Sequence, residues 1–111
     1  MGNNRDTLVT QGANNYKALS FETISPITTV EALTIPNGAV YAIIQIEASG
    51  GSVKAVRVSY AGTLPTTTTG FVLGDKDMID VAELSNLEKF RIIRNAGCGD
   101  TVTATIKYFK L

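Results

Sequence analysis

Apolar and polar residues alternate with a period of two along much of the chain. That period sends successive side chains to opposite faces of a strand. Leu19-Ser20-Phe21-Glu22-Thr23-Ile24 alternates and is stopped by Pro26. Residues 27–35 form a second candidate strand, closed by the turn Pro36-Asn37-Gly38. From Ala39 to Ala48, Val40, Ala42, Ile44 and Ile46 share one face, and Tyr41, Ile43, Gln45 and Glu47 the other. Both faces are apolar at the start, which predicts a central strand. Ser49-Gly50-Gly51-Ser52 reads as a hairpin turn into a strand over Val53–Tyr60. Phe71-Val72-Leu73, Phe90–Asn95 and Thr101–Lys110 follow as further strands. The last places Val102, Ala104, Ile106 and Tyr108 on one face and Thr101, Thr103, Thr105, Lys107 and Phe109 on the other, as in a sheet with one wet side.

Residues 80–89 are the helix-compatible stretch, with Asp80 as a cap and Val81, Leu84 and Leu87 at helical spacing. One short turn is expected around Leu84–Leu87. Residues 61–70 cannot be a regular buried element, because Gly62, Pro65, Gly70 and four threonines interrupt them. They predict a long surface loop. Residues 1–15 are polar apart from Leu8 and Val9 and read as an arm preceding a single domain over 16–111. Roughly seven or eight short strands with frequent turns predict an all-β fold, an antiparallel β-sandwich or small barrel of jelly-roll or immunoglobulin-like type. Phe21, Phe71, Phe90 and the alternating Ile and Val residues are its expected core.

Composition strengthens the class. Fourteen Thr, ten Ile and nine Val are β-branched and suit a pleated surface. A chain of 111 residues buries about two-thirds of its extended surface, enough to fold without a disulfide or a metal. With no His, there is no Ser–His or Cys–His couple and no His-ligated metal site. A single Cys forms no internal disulfide. Ten basic residues balance ten acidic ones, which removes any general electrostatic pull toward nucleic acid or anionic lipid. Met1–Asp6 lacks the apolar core of a signal peptide, and Ala39–Ile44 is too short to span a membrane. Synthesis in a cytoplasm is the expectation.

Candidate chemistry is sparse. Asp75, Asp77 and Asp80 are the densest acids, yet Lys76 sits among them and the spacing misses the EF-hand pattern, so a solvated turn is expected. Cys98 between Gly97 and Gly99 has Asp100 beside it, which disfavours a thiolate, and reads as a small turn residue. Lys54, Arg57, Lys89, Arg91 and Arg94 could form a basic strip, with ion pairs to neighbouring acids as the favoured reading. Gly97-Cys98-Gly99-Asp100 leads into a strand rather than a helix and is no phosphate loop. No cofactor and no catalytic residue is expected.

One set of segments carries a resemblance. It begins with Ile35-Pro36-Asn37-Gly38-Ala39-Val40-Tyr41-Ala42-Ile43-Ile44-Gln45-Ile46-Glu47 and continues with Val56-Arg57-Val58 and Gly62-Thr63-Leu64-Pro65-Thr66. Leu84-x-x-Leu87-x-x-Phe90-Arg91-Ile92-Ile93 and Val102-x-Ala104-x-Ile106-x-Tyr108-Phe109 close it. Over about residues 30–111 this pattern resembles small tailed-bacteriophage virion proteins built as β-sandwich subunits. Where that group is expected to carry acids before the Gly-Thr step, this chain has Tyr60-Ala61, which bears on any charged contact from the loop.

The resemblance implies a non-enzymatic virion structural protein, a capsid decoration (cement) subunit stabilising the shell. A tail or head–tail accessory subunit and a carbohydrate-binding adhesin module are the alternatives. The implied partners are the phage major capsid protein or other virion proteins and further copies of the chain, with no nucleic acid and no membrane. The expected location is the virion, after synthesis in the bacterial host. Residues that cannot order themselves by core burial are the expected contacts: Leu8 and Val9 in the arm, and Thr63, Leu64, Pro65, Thr66 and Thr67 in the loop, with Leu64 and Pro65 as an apolar tip.

Overall fold

The computed structural model describes residues 16–111, and within them the chain forms two antiparallel four-stranded sheets. The strands are β1 (Lys17–Ile24), β2 (Glu31–Ala32), β3 (Tyr41–Ala48), β4 (Val56–Ser59), β5 (Phe71–Leu73), β6 (Met78–Ala82), β7 (Arg91–Arg94) and β8 (Val102–Lys110), with one helix, α1 (Leu84–Lys89), before β7. The first sheet has the order β1-β8-β3-β6 and the second β2-β7-β4-β5. The fold is the all-β sandwich that the alternation predicts.

The inner faces meet as the period of two requires. Ala42, Ile44, Ile46 and Ala48 of β3 lie in register with Tyr108, Ile106, Ala104 and Val102 of β8, and all eight are buried. Val56 and Val58 of β4 and Ile92 of β7 face them from the second sheet. Phe90 and Leu87, fully buried, close one end. Each such side chain contributes about 1.5–3 kcal/mol by leaving water.

Several expectations are corrected. The turn at residues 49–52 is not a hairpin: β3 and β4 lie in different sheets, and the chain crosses the core there. Ser52 donates its backbone N–H to Asp100 Oδ2 (3.0 Å), and Asp75 N–H donates to the Ser52 carbonyl (2.8 Å), which holds the crossing open. Gly74 lies so close to the Val53 backbone that no side chain fits between them. The candidate strand over 27–35 shrinks to Glu31–Ala32, because Ile27 turns into the core and its N–H bonds the Val102 carbonyl (3.0 Å).

Asp80 does not cap a helix. Met78–Ala82 pairs with β3, setting Val81 against Ala42 and Asp80 against Ile43. Glu83, at φ 78°, breaks the strand and starts α1 without a side-chain cap. Of the three phenylalanines assigned to the core, Phe90 alone is buried; Phe21 is 72 % and Phe71 69 % exposed. Both stand on edge strands, where one flank is left uncovered.

Candidate functional site

The loop 61–70 joins β4 to β5, which are neighbours in the second sheet. Its conformation comes from short-range polar contacts. Thr66 and Thr69 exchange backbone hydrogen bonds (2.9 and 3.3 Å), and Thr68 N–H donates to Thr66 Oγ1 (3.3 Å). The loop is tied down at two points. Ala96 N–H donates to the Thr67 carbonyl (2.8 Å), and Arg57 Nη1 donates to the Gly70 carbonyl (3.0 Å). Arg57 Nε also donates to Asn95 Oδ1 (2.8 Å), and Asn95 Nδ2 donates to the Lys54 and Ala96 carbonyls.

Thr63, Thr66 and Thr67 are exposed, and Leu64 is 59 % exposed. Pro65 is buried against Gly70, so the expected two-residue apolar tip reduces to Leu64 alone. Gly70 itself sits at φ 126°, with the Val58 carbonyl and the Pro65 ring on either side, which leaves glycine as the residue that fits. Leu8 and Val9 lie outside the described residues.

Two of the five basic residues bond neutral oxygens. Arg57 grips the loop and Asn95, and Arg91 Nη1 donates to the Glu88 and Phe90 carbonyls (2.9 and 2.7 Å). The acids are likewise occupied with backbone. Asp75 Oδ1 accepts from Ala48 N–H (2.8 Å) and Asp77 Oδ2 from Gly74 N–H (2.7 Å). Hydrogen bonds from Ser52 hold the Asp100 carboxyl below the usual range. Among the described residues, no group of three or more acidic or Cys side chains is placed to hold a metal ion. Cys98 is buried in the turn after β7, its N–H bonded to the Asn95 carbonyl (3.2 Å).

The region that the sequence reading passed over is the outer face of the β1-β8-β3-β6 sheet. Tyr16 stacks on Tyr41 (4.9 Å between centroids, 6° between planes), and Tyr41 lies 5.5 Å from Phe109. Tyr41 is consequently only 6 % exposed although it faces away from the core. Its hydroxyl donates to Asp80 Oδ2 (3.0 Å); burial, then that bond, pushes its pKa up to about 12. Lys107 Nζ lies 5.7 Å from the Phe109 ring centroid, within cation–π range. Beside this cluster Phe21 and Met78 stand exposed, at opposite edges of the sheet. Tyr41, Ile43, Met78, Ile79 and Asp80 line an open hollow of about 180 Å³ between them. A sequence signal for this face was present in the apolar residues on both sides of β3.

On the rim of the core, the Tyr108 hydroxyl donates to Glu22 Oε2, which also accepts from Thr34 N–H (2.8 Å). Burial and the facing carboxylate raise the Tyr108 pKa well above its ordinary value. This contact fastens β1 and the segment before Pro36 to β8. No family model, no curated protein and no solved structure matches the chain.

Proposed function

We propose that the chain is a non-enzymatic structural protein of a tailed-bacteriophage virion, a capsid decoration subunit that stabilises the shell by binding across coat-protein junctions. The observation that carries the reading is the resemblance over residues 30–111, set on a rigid two-sheet sandwich that leaves large apolar side chains exposed at Phe21, Leu64, Phe71 and Met78. Large apolar side chains left exposed on a rigid fold can serve as anchors for a protein partner. A ligand that binds only the assembled shell stabilises that shell by mass action. Leu64 offers one contact, on a loop that Arg57 and Ala96 hold in place. The adhesin alternative draws no support from Tyr41, whose ring is covered by Tyr16 and unavailable as a sugar platform.

The test is made on purified virions. The chain is identified by mass spectrometry, and a bound antibody fragment locates it by electron microscopy. Regular labelling over the shell is the expected result. Label confined to the tail or neck assigns it instead to an accessory subunit, and absence from virions overturns the proposal. Deletion of residues 2–15 and Leu64→Ser are each expected to leave the domain folded and to lower its incorporation into particles.

A further inference from the structure

Phe21 and the hollow beside Met78 are related by more than shared exposure. Phe21 pairs with Lys107, Lys107 with Ile43, and Ile43 with Asp80, so one register row crosses the whole first sheet. The row carries a protruding ring at the β1 edge, a cation on β8, an aliphatic residue on β3 and an acid beside the hollow at the β6 edge. We infer that this outer face binds a second copy of the chain, sheet against sheet, with each Phe21 ring seated in the other copy's hollow.

The geometry is self-complementary. A two-fold axis running along the strands, midway between two stacked faces, sets β1 over the second copy's β6 and β8 over its β3. Phe21 then stands above the Asp80 end of the second copy's row, where the hollow lies, and the same contact occurs twice, as an isologous interface requires. A hollow of about 180 Å³ accommodates a phenyl ring, since a dry apolar cavity of about 150 Å³ binds benzene. Lys107 meets the second copy's Ile43 with its aliphatic stem, and its ammonium comes within about one strand spacing of the second copy's Asp80. An axis across the strands would instead set Lys107 on Lys107. β3 and β8 pair over eight residues. With four strands this gives a face of roughly 500 Å² per copy and roughly 1,000 Å² for the pair, the lower bound of a specific interface. Stacked faces at the usual angle of about 30° accommodate the sheet twist.

The inference concerns the isolated chain and stands apart from the virion reading, which the particle-labelling experiment tests separately. Sedimentation of the purified full chain over a wide range of concentration is expected to give a monomer–dimer equilibrium. Phe21→Ser and Met78→Lys, both at exposed positions, should each weaken the dimer about tenfold or more, as loss of an interface anchor does. Phe71→Ser, equally exposed but on the second sheet, should leave it unchanged. Lys107→Glu and Asp80→Lys should each weaken it, and the double variant should recover part of the loss. Circular dichroism and the thermal midpoint of each variant establish that it is folded. A monomer at every concentration overturns the inference. So does a dimer that survives Phe21→Ser and Met78→Lys, or one that Phe71→Ser abolishes.

Discussion

On the β1-β8-β3-β6 sheet the residues turned away from the core include three aromatic rings, Phe21, Tyr41 and Phe109, with Ile43, Met78, Lys107 and Asp80; on the β2-β7-β4-β5 sheet the corresponding positions hold Ala32, Arg91, Ser59, Arg57, Ile93 and Val72, with no ring among them. The inner faces of the two sheets are alike, built from Val, Ile and Ala. Burial therefore dictates the inner faces and leaves the outer ones to other demands. The second sheet uses its outer cation to fasten a loop: Arg57 closes on Gly70 and Asn95. The first sheet keeps an aromatic and aliphatic surface that the described residues of one copy leave partly exposed. Apolar area outside the core adds nothing to monomer stability unless something packs on it.

The sharpest break in that comparison comes from truncating the two faces of the same sheet. Ile44→Ala, on the inner face, is expected to lower unfolding free energy by about 2–5 kcal/mol in a chemical denaturation. Phe21→Ala, on the outer face, should change it by about 0.5 kcal/mol or less when measured on the monomer. A large loss for Phe21→Ala would mean that its ring is packed within one copy.

Glu22→Ala tests the rim between the faces. It leaves the Tyr108 hydroxyl buried without its acceptor and frees Thr34 N–H, at an expected cost of about 1–3 kcal/mol. Glu22→Gln, which keeps an acceptor oxygen, should recover most of that loss.

Asn95→Ala probes the second sheet. It removes the acceptor of Arg57 and the donor to the Lys54 and Ala96 carbonyls, with an expected loss of about 1–2 kcal/mol. Hydrogen exchange at Ala96, whose N–H bonds the Thr67 carbonyl, should quicken more than at β3 and β8. Equal quickening throughout would show that the loop and the core open together.

At neutral pH the titration of Tyr41 leaves the fold unchanged. Tyr41 ionises near 12 rather than 10.0, so its neutral form is favoured in the folded state. The stability this supplies is fully present below about pH 10 and is lost as pH rises from 10 to 12. The difference in ultraviolet absorbance between the parent and Tyr41→Phe should report that step, and a step near 10 would mean that Tyr16 does not cover the ring.

Much of the fold was legible in local pattern. The alternation from Thr101 to Lys110 named all four inward residues of β8. Met78-Ile79-Asp80-Val81-Ala82 also alternates, and its strand was obscured because Val81, Leu84 and Leu87 carry a competing helical spacing. Unbroken alternation would keep Leu19, Phe21 and Thr23 on one face. A bulge between Ala18 and Ser20 shifts that phase, so Leu19 and Ile24, five positions apart, both pack on the core and Phe21 turns out. Glu22 is tolerated on the inward side because Tyr108 and Thr34 satisfy its carboxylate. No short-range pattern contains those partners, which lie 86 and 12 residues away.

The contact loop was legible as a loop but not as an anchored one. Gly62, Pro65 and the threonines exclude regular structure by themselves. That Pro65 is buried and Leu64 is not depends on Gly70, Arg57 and Ala96 reaching it from elsewhere in the chain.

By itself the sequence determined the class, the strand-forming segments and the identity of the central inner residues, because period-two burial and β-branched side chains act over a few neighbouring positions. Which sheet each strand joins was decided only in three dimensions. The Ser49–Ser52 turn could close a hairpin or cross the core, and the contacts of Asp75 with Ala48, 27 positions away, and of Asp100 with Ser52, 48 positions away, settled the crossing. The outer aromatic face also exists only in the assembled sheet, since Phe21, Lys107, Ile43 and Asp80 become one row through pairing between distant strands.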